Sequence, residues 1–103
     1  MKPVIIVSTY PDKKTVTKIA NDLVEKRLTA CVNILQISSI YSWKEKIENT
    51  SEFLAIFKTT QKNKNSLKNA IKNTHPYKIP EIAEIDVHSI NQPYLKWLIE
   101  STN

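Results

Sequence analysis

The sequence predicts an α+β domain in which two helices cover one side of a four-stranded sheet. Three observations predict it: apolar residues recur at helical spacing in separate stretches, β-branched and aromatic residues fill the stretches between, and the two kinds alternate along 103 residues with no linker. The chain is 41% hydrophobic and 24% charged, a balance that supports one domain with its own core. At this length folding buries about 60 to 68% of the unfolded surface, enough without disulfide staples.

The elements follow in order. Pro3 opens Val4-Ile5-Ile6-Val7, which runs on into Ser8-Thr9-Tyr10. An apolar run without polar alternation reads as a strand covered on both faces. Asp12, after Pro11, is a suitable N-cap. Val16, Ile19, Ala20, Leu23, Val24 and Leu28 then fall at intervals of 3, 1, 3, 1 and 4, which predicts an amphipathic helix over 12–28. Residues 30–43 are rich in Val, Ile, Tyr and Trp and predict a long strand. Ala30, Val32 and Ile34 alternate, whereas Leu35, Ile37 and Ile40 break the phase, which predicts a bulge over 36–39.

Residues 46–59 form a second extended stretch, with Phe53, Ala55 and Phe57 on one face and Leu54 and Ile56 on the other. Only Lys44-Glu45 separates it from the first, so the pair reads as a hairpin. Such a turn favours Asn-Gly, and Glu45 predicts a suboptimal or longer one. Residues 61–74 read as a second helix with Leu67, Ala70 and Ile71 inward, ended by Pro76. The prolines of His75-Pro76-Tyr77-Lys78-Ile79-Pro80 hold a connecting loop extended. Over 81–89, Ala83, Ile85 and Val87 alternate with Ile82, Glu84, Asp86 and His88, which predicts a half-buried strand with the first set inward. A short helix carrying Tyr94, Leu95, Trp97 and Leu98 follows Asn91. The order βαββαβ is the split βαβ, ferredoxin-like arrangement, here with a C-terminal helix added.

One dimension does not fit a lone globule. Each arm of the hairpin, 30–43 and 46–59, has 14 residues and spans roughly 46 Å at about 3.3 Å per residue. A compact chain of this length has a radius of gyration near 13 Å, hence a diameter of about 33 Å. The hairpin therefore bends or projects. A projecting one leaves Ile40, Tyr41, Trp43, Ile47 and Phe53 for another subunit, and a homo-oligomer is expected.

Several function classes drop out. The chain has no glycine, so neither a P-loop nor a Rossmann fingerprint exists. No apolar run approaches the roughly 18 residues of a membrane span. The single Cys31 forms no internal disulfide, and with no secretory signal at the N-terminus the expected compartment is the reducing cytoplasm. The formal charge of +5 suits an anionic partner, but equally a general bias toward Lys, Asn and Ile. Six lysines and no acid lie between Lys58 and Lys78, with Tyr77 the one aromatic, a pattern closer to a solvated lysine face than to a nucleic-acid platform.

Candidates for chemistry are few. Glu84, Asp86 and His88 share a strand face, but their Cβ atoms step by nearly 7 Å, too far for three adjacent ligands to converge on one ion. His75 sits where a ring closes a helix C-terminus. Ser8, Cys31 and two histidines lack an elbow or triad context, and no enzyme is expected.

Five ordered motifs carry a family resemblance: Ala30-Cys31-Val32-Asn33-Ile34; Ile40-Tyr41-Ser42-Trp43 with Lys46-Ile47; Glu52 before an apolar run ending Lys58-Thr59; His75-Pro76-Tyr77-Lys78-Ile79-Pro80-Glu81-Ile82; and Tyr94-Leu95-Lys96-Trp97-Leu98. Together they resemble the CutA divalent-cation-tolerance family over nearly the whole chain. The resemblance implies a ferredoxin-like subunit in a tight homotrimer similar to PII signalling proteins, and a role in tolerance of divalent cations, copper especially. It implies no required cofactor, copper or another divalent cation as the metal partner, and neither nucleic acid nor membrane. Where family copper ligands are a cysteine and histidines, this chain has Ser8 and Thr74, so His75 alone carries over as a metal residue. Trp43, Lys46, Lys58, Tyr77, Pro80 and Glu81 are the expected residues of a cleft between subunits. The alternative is a PII-like signalling module that holds a small anion there through Lys46 and Lys58. Family members usually have glycine where Glu45 stands.

Overall fold

Alternate side chains of β1 (Pro3–Tyr10) are buried: Val4, Ile6, Ser8 and Tyr10 point to one face of the sheet. The computed structural model describes all of residues 1–103. β1 pairs antiparallel with β3 (Lys46–Thr60) on one side and with β4 (Ala83–Asp86) on the other, and β2 (Cys31–Trp43) is the far edge, giving the order β2-β3-β1-β4. α1 (Lys13–Glu25) and α2 (Lys64–Thr74) lie on the face with Val4, Ile6 and Phe57, and Leu23, Leu67 and Ile71 complete that core. The opposite face carries Ile5, Val7, Leu54 and Ile56 half-buried and Leu35 and Ile85 exposed. This is the predicted α+β, ferredoxin-like architecture.

Both helices are shorter than predicted, α1 within 12–28 and α2 within 61–74. Asp12 caps α1 through its carboxylate, which accepts from the Thr15 N–H at 2.8 Å. α1 stops at Glu25 because Arg27, at φ 62°, closes it in a Schellman motif: Leu28 N–H donates to Leu23 C=O and Arg27 N–H to Val24 C=O. Glycine normally takes that left-handed position. Arg27 is held there by bonds from its guanidinium to the carbonyls of Glu100 and Asn103, which tie down the end of α3 (Gln92–Ser101). Val24, expected inward, is exposed.

The hairpin projects. β1 reaches only residues 53–60 of β3, so residues 46–52 pair with β2 alone. The molecule is accordingly 45 Å long and only 26 by 21 Å across. The expected bulge over 36–39 is absent, since the register runs unbroken from Cys31↔Lys58 to Trp43↔Lys46. The break in apolar phase instead reflects a ribbon with apolar groups on both faces and a core on neither. The turn is the two-residue one, Lys44 at φ 50° and Glu45 at φ 65°.

β4 corrects one expectation about facing. Glu84 stands opposite Ile6 and so faces the helices, with Ile82 packed on the core, while Ile85, expected inward, is exposed. The reason is electrostatic. Lys64 and Lys68, one turn apart on α2, reach the Glu84 carboxylate at 3.0 and 2.7 Å and hold its pKa below the usual carboxylate range. The strand also ends at Asp86, short of the predicted residue 89.

Two outcomes follow from these features. Because Glu84 titrates lower in the folded state, its ion pairs stabilise the fold above roughly pH 4.3 and are lost as pH falls through its lowered value. The urea midpoint of Glu84→Gln should therefore fall less steeply on acidification than that of wild type, and parallel curves would refute the pairing. Relieving the left-handed strain by Glu45→Gly should raise unfolding free energy by about 0.5–1 kcal/mol in urea titrations.

Candidate functional site

The loop after α2 returns across the end of β1 and builds a connected polar network there. His75, the C-cap residue of α2, is stacked on Tyr10 with ring centroids 4.2 Å apart and tilted against Tyr77 at 5.1 Å. The Tyr77 backbone N–H donates to His75 Nδ1 at 3.1 Å. An acceptor at Nδ1 fixes the neutral ring with its proton on Nε2, and Nε2 lies 3.1 Å from Ser8 Oγ. Ser8 in turn donates to the Glu81 carbonyl at 2.6 Å. Burial lowers the His75 pKa, a backbone bond to Thr9 and the charge of Glu52 opposing it in part. The Tyr77 hydroxyl donates to Glu52 Oε2 at 2.7 Å, and burial together with that carboxylate raises its pKa strongly.

Beside this network opens a cavity of about 500 Å³. Its aromatic residues are Tyr41, Trp43 and Tyr77, its carboxylates Glu48, Glu52 and Glu81, and Thr9, Lys78 and Ile79 complete the lining. Strand period puts Tyr41 and Trp43 on one face of β2, and the register sets Glu48 directly opposite Tyr41. The hairpin thus contributes one side of the cavity and the proline-stiffened loop the other.

The expected cleft residues divide. Trp43, Tyr77 and Glu81 line the cavity, and Pro80 lies half-buried in the loop between Ile79 and Glu81. His75 is behind the cavity, where it braces the loop. Lys46 lies beyond it, paired with Trp43 at the hairpin end. Lys58 is twelve residues further along the same strand, about 40 Å away by strand rise, with its ammonium 5.7 Å from the Tyr94 ring. One chain alone cannot hold a small anion between Lys46 and Lys58. Sequence reasoning missed Glu48, Thr9 and Tyr41 as cavity residues and Glu52 as the partner of Tyr77. The one available signal for Glu52 was an acid set directly before a strand of buried residues.

The residues of this chain do not by themselves form a copper site. No group of three or more His, Cys, Asp or Glu side chains is arranged to hold a metal ion. His75 offers no free lone pair, since Nδ1 accepts from an amide and Nε2 carries the proton toward Ser8. Glu84 is committed to two lysines, which removes it from the strand-face trio with Asp86 and His88. The Ser8–His75 contact is not a nucleophile and its base either, because Ser8 is fully buried and the facing nitrogen is protonated.

Comparison with known proteins decides the family. The CutA1 divalent ion tolerance protein family matches residues 4–101. The chain belongs to that family. It is 42% identical over 99 residues to the divalent-cation tolerance protein CutA of Pyrococcus horikoshii, covering 96% of this chain and 97% of that one. The crystal structure of the divalent ion tolerance protein CutA1 from Ehrlichia chaffeensis superposes with a TM-score of 0.95 at 34% identity, over 100% of this chain and 98% of that one. The periplasmic divalent cation tolerance protein CutA from Archaeoglobus fulgidus gives 0.94 at 34% identity, over 98% and 99%. Within this CutA1 fold the loop that carries His75 and Tyr77 is positioned by contacts from β1 and β3.

The network makes its own predictions. Tyr77→Phe leaves a buried Glu52 carboxylate without its donor and should cost about 1–3 kcal/mol in urea unfolding. For His75 the sign is opposite to that of a salt-bridged base: the folded state resists protonation, so stability falls as pH drops from about 6.5 toward the lowered value. His75→Ala should lack that slope between pH 7 and 5, and an unchanged slope would reject the assignment.

Proposed function

We propose that this CutA1 family member serves divalent-cation tolerance as a cytoplasmic homotrimer that binds metal weakly and acts through assembly rather than catalysis. The observation that carries the assembly is the bare hairpin: Ile40 is 73% and Ile47 69% exposed on a ribbon with no third strand beside it. Apolar groups and unpaired backbone edges in that position favour association. The exposed Leu35 and Ile85 on the helix-free face support the same reading. Three copies are what the family resemblance implies, and the hairpin of each would cover part of its neighbour.

Weak rather than tight metal binding is supported by the engaged nitrogens of His75 and by the lack of a three-ligand cluster in the subunit. Copper, in this reading, meets ligands contributed by more than one chain, with His75 available only when Tyr77 releases it. A cytoplasmic setting is supported by Cys31 being the only cysteine and free.

Sedimentation equilibrium at micromolar concentration should give about three times the 11.9 kDa chain mass, and Ile40→Lys with Ile47→Lys should shift it downward. A stably folded single chain would overturn the assembly. Copper calorimetry on wild type and His75→Ala tests the metal: a weaker isotherm in the variant supports His75, and identical isotherms remove it from any site.

A further inference from the structure

We infer that the cavity between the hairpin and the loop 75–81 binds a small organic cation, an ammonium or guanidinium group on an apolar body. The inference rests on the cleft described above but not on its relation to metal. Glu48, Glu52 and Glu81 line the cavity with Lys78 as its one basic residue, so it carries net negative charge in a chain whose formal charge is +5. None of the three carboxylates takes part in any of the four ion pairs of the structure.

Glu52 is the decisive group. It is only 8% exposed, and the sole hydrogen bond to its carboxylate comes from the neutral hydroxyl of Tyr77. A buried carboxylate with no counter-cation is costly, and a cation entering the cavity would offset that cost. A metal ion does not suit the place, because metal–oxygen bonds of about 2.0–2.6 Å need ligands that converge and these do not. A larger cation does suit it. Tyr41, Trp43 and Tyr77 line it, and aromatic rings attract ammonium and guanidinium groups within about 6 Å of the centroid. The volume of about 500 Å³ is that of a small-molecule pocket.

The test uses the full chain with Trp97→Phe, which leaves Trp43 in the cavity wall as the only tryptophan. Phenethylammonium and agmatine are titrated against Trp43 emission, with 2-phenylethanol as the neutral analogue, and each sample is sedimented. Both cations should give a saturable change that the alcohol does not. Glu52→Gln should weaken binding at least about tenfold. Glu48→Gln, at a half-exposed residue without a hydrogen bond, should weaken it without endangering the fold.

An equal response to the alcohol, or unchanged affinity in both Gln variants, overturns the inference. So does the absence of saturation up to about ten times a millimolar dissociation constant in protein that sediments as an oligomer, since a neighbouring chain then fills the cavity. Saturable, carboxylate-dependent binding to protein that sediments as a single chain upholds the cation site while the trimer falls.

Discussion

The constraint on which the structure depends is the mismatch between β3 and β1. β3 has 15 residues, but β1 supplies a partner only to residues 53–60. Helices can pack over the part of the sheet that β1 makes wide enough, and there Phe57, Ile6, Leu67 and Ile71 are fully buried. Beyond it a two-stranded ribbon is left, and such a ribbon is marginal alone in water. Its apolar side chains Ile40 and Ile47 are accordingly exposed. The same mismatch creates the cavity, because the loop 75–81 crosses where β1 stops and the ribbon continues.

That crossing is held by hydrogen bonds rather than by bulk packing. Ser8 anchors the loop at Glu81, His75 bridges Ser8 to the Tyr77 backbone, and the Tyr77 hydroxyl reaches Glu52 on β3. All but the His75–Tyr77 bond join groups far apart in sequence, Ser8 to Glu81 across 73 residues and Tyr77 to Glu52 across 25. His75 is thus best understood as a positioning residue, and the stacking of its ring on Tyr10 fixes the geometry the hydrogen bonds require.

The architecture was legible wherever periodicity reports burial. The helical stripe at Val16, Ile19, Ala20 and Leu23 and the alternation of Phe53, Ala55 and Phe57 gave both helix and strand, and arm length alone gave the projection. Legibility failed where apolar pattern and burial part company. Leu35, Ile37 and Ile40 suggested a bulge because one exposed ribbon carries apolar groups on two faces. Alternation alone points Ile85 inward, whereas the lysine pair on α2 claims the inward place for Glu84 and leaves Ile85 exposed. Of the cleft residues, family motifs point to Trp43, Tyr77 and Glu81 but not to Glu48 and Thr9, since only strand register brings these beside a loop far along the chain. Lys46 and Lys58 were grouped by charge, and strand rise separates them.

Fifteen Lys and Arg residues against ten Asp and Glu make the molecule basic, so long-range attraction draws anions toward it and gives a cation no help in approach. Selectivity for a cation must then arise at short range, from carboxylates whose own lysines are placed elsewhere. Lys64 and Lys68 are spent on Glu84, and Lys58 lies over Tyr94. Glu52 is left with a phenol, which stays protonated because its pKa is raised by burial and by that same carboxylate. A neutral donor satisfies one carboxylate oxygen without cancelling the charge, and this leaves the interior of the cleft negative within a positive protein.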